Sequence, residues 1–550
     1  MAKHKIRDFI LDLARGFSVV GLLVGTLFFA FSLTPSLVPR PFGIQGLISG
    51  LSFTAGYAVG FFFRWLWIYV ELPVPRRRNE LILKSLAALA CAVVVVTFLW
   101  QATEWQNTLR GIMGMEPIGG MPTVAIGLMT LLIFTALLVV ARLFKYTFFF
   151  LSSRLQRFVP AHVSHVVGVL VAAMLFWSLI DGVIFSLALR AADNSYQQVD
   201  ALIQDDLARP EDPLKTGSSA SLIPWAELGR QGRNFISSGP SAAEIADFTG
   251  APALEPIRVY VGLNAADTAH ERARLALEEL KRVGGFERSV LLLVTPTGTG
   301  WVDPAAQDTV EYLHRGDIAT VTAQYSYLPS ALSLIVEGEY GAEMARALFE
   351  KVYGYWTGLP RDARPALYLH GLSLGALNSD RSFDVYDIIQ DPFHGALWSG
   401  PPFRSETWRK ATQERDPDSP AWLPRFRDGA VVRFMNQTGG LNDGAGPWGT
   451  FRIAYLQYAS DPVTFFDTHA FFREPEWMLP PRGPDVSPDL RWYPIVTMLQ
   501  LAADMAVGST PPGYGHTFAA EHYIDAWHAL TEPEGWSAED LERLKALFSR

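Results

Sequence analysis

Tyr368-Leu369-His370-Gly371-Leu372-Ser373-Leu374-Gly375-Ala376-Leu377 reads as a buried strand that enters a tight turn and leaves it as a helix. Pro365 opens the stretch. Ala366, Leu367, Tyr368 and Leu369 then make a short apolar run, the length of an inner strand of a parallel sheet. Gly371, Ser373 and Gly375 complete G-x-S-x-G. A serine on a sharp strand-to-helix turn has strained backbone angles, and its neighbours two residues away on either side must be tiny for strand and helix to close around it. Such a turn lifts the hydroxyl above the sheet and sets the Leu374 N–H at a helix start, where it can stabilise an oxyanion. The competing reading, an ordinary Gly/Ser turn, is weakened by the strand before it and the helix-compatible Ala-Leu-Asn after it.

Outward from this turn, 550 residues exceed one ordinary domain. Apolar residues make up 49% of the chain and the mean hydropathy is positive. The excess is concentrated in the first third, which points to a membrane protein. A net charge of -9 gives no support to nucleic-acid binding. The one cysteine, Cys91, lies in an apolar run, which excludes an internal disulfide and any cysteine-based zinc site. No H-E-x-x-H occurs and the histidines show no ligand spacing, so neither metal nor cofactor is expected.

Five apolar runs come first, at about Phe17–Leu33, Leu47–Tyr69, Leu81–Leu99, Val124–Leu143 and Val166–Leu189. Each is near the roughly 20 residues that cross a bilayer. The first follows Lys3, Lys5 and Arg7, as a secretory signal would, but no small-x-small cleavage site closes it. Lys and Arg cluster before the first run, between the second and third (Arg76, Arg77, Arg78, Lys84) and between the fourth and fifth (Arg142, Lys145, Arg154, Arg157). Only Arg40 and Arg110 occupy the alternate connections. This bias places the N-terminus in the cytoplasm, and five spans put the rest of the chain outside. Arg64 lies near a span end and can snorkel. Asp181 lies deeper and is read as a structural hydrogen-bond partner between helices, with a functional role as the alternative.

Beyond a polar connector, strand and helix patterns alternate. Strands are expected at Ile257–Leu263, Ser289–Val294, Ile318–Gln324, Ala366–His370, Ala396–Ser399 and Ile453–Tyr458. Helices are expected at Thr268–Val283, Pro304–His314, Tyr340–Tyr353 and Trp536–Phe548. This order predicts a mostly parallel, doubly wound sheet.

Four stretches together resemble the bacterial α/β-hydrolases that carry an N-terminal multi-span membrane domain. They are Leu33-Thr34-Pro35-Ser36-Leu37-Val38-Pro39-Arg40, Gly229-Arg230-Gln231-Gly232-Arg233, Thr295-Pro296-Thr297-Gly298-Thr299-Gly300-Trp301-Val302-Asp303-Pro304, and the serine turn. The resemblance implies a serine hydrolase in the bacterial cytoplasmic membrane and says little about substrate. It frames the chain as a helical transmembrane domain over 1–190, a connector over 191–256 and an α/β-hydrolase domain over 257–550.

In such folds the acid follows a late strand and the histidine comes last. Asp461 ends the last apolar strand and is the expected acid, with Asp467 and Asp443 as rivals and a turn residue before Pro462 as the competing reading. His516, in Gly513-Tyr514-Gly515-His516-Thr517, is the expected base, ahead of His522 and His528 in a more helical stretch. Ser373 is the expected nucleophile. Thr297 or Gly298 is the expected second oxyanion donor beside Leu374. Gly298-Thr299-Gly300 is not a dinucleotide loop, because position 303 is Asp. Asn436-Gln437-Thr438 matches a glycosylation triplet that is common by chance. The expected activity is cleavage of an acyl ester, with a lipid-like substrate suggested by the bilayer and by aromatics such as Trp398, Trp408, Phe465 and Trp477. Acyl transfer to a lipid or glycan alcohol, and a non-enzymatic membrane module, are the alternatives.

Overall fold

Seven strands form one all-parallel sheet: β1 (Ile257–Val261), β2 (Val290–Thr295), β3 (Ile318–Ala323), β4 (Ala366–Leu372), β5 (Gly395–Ser399), β6 (Val432–Met435) and β7 (Arg452–Leu456). Their order is β1-β3-β2-β4-β5-β7-β6. The computed structural model describes residues 17–73, 77–178, 200, 204, 207–329, 339–441, 446–507 and 510–549. Lys3, Lys5, Arg7, Arg15, Arg76, Asp181, Asp443 and the end of the fifth apolar run fall outside them.

Nearly every strand residue is buried, because helices cover the sheet and leave no face for water. The six expected strands are present within a residue or two. β6 was not expected. It has four residues, sits at the sheet edge, and carries Arg433, whose guanidinium donates to the Gly429, Leu441 and Gly446 carbonyls. That charge interrupts the apolar run by which a short strand is read.

Helix Ala269–Arg282 opens with a capping box between Thr268 and Glu271 and packs with helix Tyr340–Thr357. Helix Pro304–Leu313 is capped by Asp303 and packs with Ala520–Thr531. β4 sits mid-sheet, between β2 and β5, so the turn after it opens at the carboxyl edge, where ligands of open parallel sheets bind.

The chain divides into two compact units. One holds this sheet. The other holds the N-terminal helices together with Asp467–Met478 and Val486–Val507, two segments from within the 257–550 stretch. The five expected apolar runs fall on helices Val19–Ser32, Phe42–Tyr69, Arg77–Ile112, Thr123–Leu155 and Ala161–Trp177. Among the described residues, three helices are long and apolar enough to cross a membrane, Phe42–Tyr69, Ile82–Ile112 and Thr123–Leu155. Val19–Ser32 has 14 residues. At ~1.5 Å per residue it is about 21 Å long, short of a hydrocarbon layer of about 30 Å. The long helices expose Phe61, Trp65, Leu86, Leu89, Val96, Leu128 and Leu132, a surface suited to hydrocarbon rather than water.

Helix Phe42–Tyr69 meets its neighbours through glycines. A Cβ at Gly56 or Gly60 would lie 2.6 or 2.5 Å from the Val24 or Val20 carbonyl oxygen of helix Val19–Ser32. Small residues here let backbones touch, the contact that replaces the hydrophobic drive between helices in lipid.

Within the same unit, Arg40 is fully buried and its Nε lies 2.6 Å from Asp504 Oδ1 on helix Val496–Asp504. Ser36 Oγ and Leu37 N also donate to the Asp504 carboxylate, Arg40 N donates to Gln106 Oε1, and Arg40 Nη1 donates to Gln45 Oε1. Phe31 stacks on Tyr493 at 4.1 Å between ring centres. The Leu33–Arg40 stretch is thus a buried polar joint to a helix more than 450 positions later in the chain.

Candidate active site

Ser373 follows β4 with φ 58° and ψ -125°, a region costly for a residue with a Cβ. Backbone strain of this kind costs about 1–3 kcal/mol and persists only where its surroundings impose it. They do so here. A Cβ at Gly371 would lie 2.4 Å from the Gly375 carbonyl carbon and oxygen, and one at Gly375 would lie 2.2 Å from the Thr295 carbonyl oxygen. Both glycines are therefore steric requirements of the turn. The Ser373 amide donates to the Ser399 carbonyl at 2.9 Å, which ties the turn to the end of β5.

Gly400, the next residue, has φ 51°, and a Cβ there would lie 2.6 Å from His516 Cε1. The end of β5 thus holds the serine turn on one side and backs the imidazole on the other. His516 Nδ1 lies 2.8 Å from Asp461 Oδ2. Asp461 is fully buried, so its carboxylate depends on these partners. Its Oδ1 accepts from Val463 N and its Oδ2 also accepts from Thr464 Oγ1, which makes Asp461 the turn residue of the competing reading as well. One oxygen shapes the turn and the other faces the imidazole. A neutral imidazole that donates Nδ1–H to the carboxylate presents its lone pair at Nε2. Nε2 is shielded from solvent and has no hydrogen-bond partner among the described residues.

Three residues at the end of β7 grip the histidine loop. Tyr458 Oη accepts from Ala519 N, Ser460 Oγ accepts from Gly515 N at 2.8 Å, and Asp461 takes His516. Ser460 Oγ in turn donates to buried Asp485 Oδ2 at 2.6 Å. Sequence reasoning missed Tyr458, Ser460 and Asp485. The first two are polar residues closing an apolar strand, a usable signal, whereas Asp485 sits in a Pro/Gly-rich loop that offers none.

Asp467 caps the Thr468–Phe471 turn, bonds His469 Nδ1 at 2.8 Å and belongs to the other unit. His522 is buried and bonded through Nδ1 to Tyr458 Oη, and burial pushes its pKa down. His528 lies in the last turn of helix Ala520–Thr531. The loop after β2 reaches the serine helix through the Thr295 and Pro296 carbonyls beside Gly375. The Thr297 amide donates to the Trp301 carbonyl at 3.0 Å. That bond closes the loop on itself and holds Thr297 and Gly298 in a tight turn beside the serine helix.

Asp303 lies in the same loop. It is buried, and burial pushes its carboxyl up to about 7, against the hydrogen bond from Ala305 N that favours the anion. A raised carboxyl pKa means that the folded state holds a proton that the unfolded state has released between pH ~4 and ~7, so stability falls as pH rises through that window. Asp303→Asn keeps the helix cap and mimics the protonated acid. Its melting temperature should exceed wild type by several degrees at pH 8, with the difference closing towards pH 4. Equal pH profiles in a thermal melt would refute this.

The chain matches a family model described as alpha/beta-hydrolase family over residues 257–544, and one described as alpha/beta-hydrolase family N-terminus over 33–240. No curated protein and no solved structure matches. With the all-parallel sheet, the strained serine turn after its central strand and a family match over more than half its length, the chain belongs to the alpha/beta-hydrolase family.

Proposed function

We propose that the protein is a membrane-anchored serine hydrolase that cleaves an acyl ester of a lipid-like substrate. The observation that carries this reading is the 2.8 Å contact between His516 and buried Asp461, set against the same β5 end that ties down Ser373. In this reading Ser373 Oγ attacks the acyl carbon while His516 Nε2 takes its proton. Leu374 N–H, with Thr297 or Gly298 of the loop after β2 as second donor, holds the carbonyl oxygen as it gains charge. The imidazolium, steadied by Asp461, returns the proton to the alcohol leaving group, and an acyl-serine remains. Water then attacks that ester with His516 again as base, which releases the acid and restores Ser373.

The N-terminal helices serve as the anchor, with a cytoplasmic N-terminus and a catalytic unit outside the bacterial cytoplasmic membrane. Support comes from the exposed apolar helices and the Lys/Arg bias of the connections. A single experiment tests chemistry and placement. A membrane-impermeant, sulfonated fluorophosphonate added to intact cells should label the wild-type chain and not Ser373→Ala. Labelling only after lysis would refute the topology, and none in either case would refute the nucleophile.

A further inference from the structure

A cavity opens at the carboxyl edge of the sheet, at the ends of β1 and β3. Its volume is about 410 Å³, and Asp267, Arg272, Tyr325, Tyr327, Tyr340 and Glu343 line it. Arg272 is 8% exposed, so its guanidinium has left most of its water behind. Nη1 is committed to the Ala266 and Asp267 carbonyls, whereas Nε has no partner among the described residues. An unmade donor on a buried charge is expensive, and proteins keep such groups where a ligand completes them. Helix Tyr340–Thr357 also begins at this cavity, and among the described residues no side chain caps it.

The lining selects the chemistry of the guest. An anion suits Arg272 but meets the carboxylates of Asp267 and Glu343. An ammonium group suits those carboxylates but meets Arg272. An acyl chain would bury all three without hydrogen bonds. A neutral polyhydroxyl group satisfies the whole set, since each hydroxyl both accepts from a guanidinium and donates to a carboxylate. Flat tyrosine faces give its C–H surface a platform. Tyr327 is already oriented by the bond from its Oη to Asn264 Oδ1 at 2.5 Å, and Tyr340 stands exposed at the mouth.

The cavity's Tyr325 and the serine helix both pack against Gly341. A Cβ at Gly341 would lie 2.0 Å from Asn378 Nδ2, on the helix that follows Ser373, and 3.1 Å from Tyr325 Cε2. β3 and β1 stand two and three strands from β4. At about 4.8 Å per strand, the cavity is roughly 10–14 Å from the serine turn. From these features we infer that the cavity is a subsite for the alcohol portion of the ester, a sugar ring one unit removed from the scissile bond. The inference rests on the ester-hydrolase reading above and names its substrate class as acylated oligosaccharides or glycosylated lipids.

Two arms separate the subsite from the chemistry. The full chain in detergent micelles is assayed for octanoate release from sucrose monooctanoate and from methyl octanoate. The sucrose ester should be favoured at least about tenfold in kcat/KM, mainly through KM, the order expected for one hydrogen bond to a charged group. Arg272→Gln and the exposed Glu343→Gln should each bring that ratio close to one. Glu343→Gln is the safer variant for folding, because its side chain lies at the surface. A wild-type ratio near one, or a ratio that both variants leave unchanged, overturns the subsite. In the second arm, sucrose binding to Ser373→Ala is read by saturation-transfer NMR, which needs no turnover. Binding that Arg272→Gln abolishes supports the subsite even if neither ester is cleaved, in which case the ester-hydrolase reading alone falls. No binding, or displacement of sucrose by millimolar choline or inorganic phosphate, overturns it.

Discussion

Ser373→Ala, His516→Ala and the double variant are expected to leave the same residual esterase activity on a short activated ester, each roughly 10⁴- to 10⁶-fold below wild type. The serine hydroxyl is a poor nucleophile until the imidazole takes its proton, so either substitution removes the activated alkoxide and the second has little left to remove. What remains comes from the oxyanion donors and from binding. Asp461→Asn should cost about 10⁴-fold, because an amide facing Nδ1 favours the wrong tautomer. The 2.8 Å contact and the complete burial of Asp461 make this loss electronic rather than a matter of looser packing. Single-turnover kinetics check it. Losses that multiply in the double variant would mean that His516 acts independently of Ser373, and His522 would be the next residue to test.

Asp504→Ala and Arg40→Ala should be the most destabilising single changes in the helical unit, each about 3–5 kcal/mol, the usual cost of stranding one member of a buried pair. Each leaves a charge that is fully shielded from water. Asp504→Ala also strips acceptors from Ser36 Oγ and Leu37 N. A fall of about 10 °C in melting temperature in detergent is the expected reading. Arg40→Met with Asp504→Leu should recover most of that fall, because two apolar side chains leave no uncompensated charge. Equal losses in the single and double variants would assign the stabilisation to packing instead.

Much of the sheet could be read because parallel strands buried on both faces are written as apolar runs, as in Val290–Thr295 and Ala366–Leu369. The serine turn could be read because its geometry admits only glycine at 371 and 375, a constraint that leaves a visible trace. The choice of Asp461 over Asp467 followed from its place at the strand end, where the structure sets it against His516. Other features left no local mark. Arg433 disguises β6, since nothing beside it announces the three carbonyls that receive its charge. Asp485 supports the histidine loop across 30 positions, from Gly515 through Ser460. Arg272 looks like any helix-surface arginine in Glu271-Arg272-Ala273-Arg274, and only the fold shows that it is buried while Glu271 and Arg274 are exposed. Length misled in one place. Helix Val19–Ser32 belongs to a run of spanning composition but ends early, where Leu33 and Thr34 break into the Pro35-containing joint.

The chain's return to the helical unit at Asp467–Met478 and Val486–Val507 decides how the protein can be cut. A polypeptide begun near the expected domain boundary would still carry helix Val496–Asp504, now without Arg40, Ser36 or the Phe31 ring against Tyr493. Its buried carboxylate and apolar face would be open to solvent, and the product would be a sticky fragment rather than a soluble enzyme. Each unit is assembled from segments that alternate along the chain, so a usable soluble form requires excising residues 467–507 in part and rebuilding the short Leu479–Asp485 stretch that belongs with the sheet.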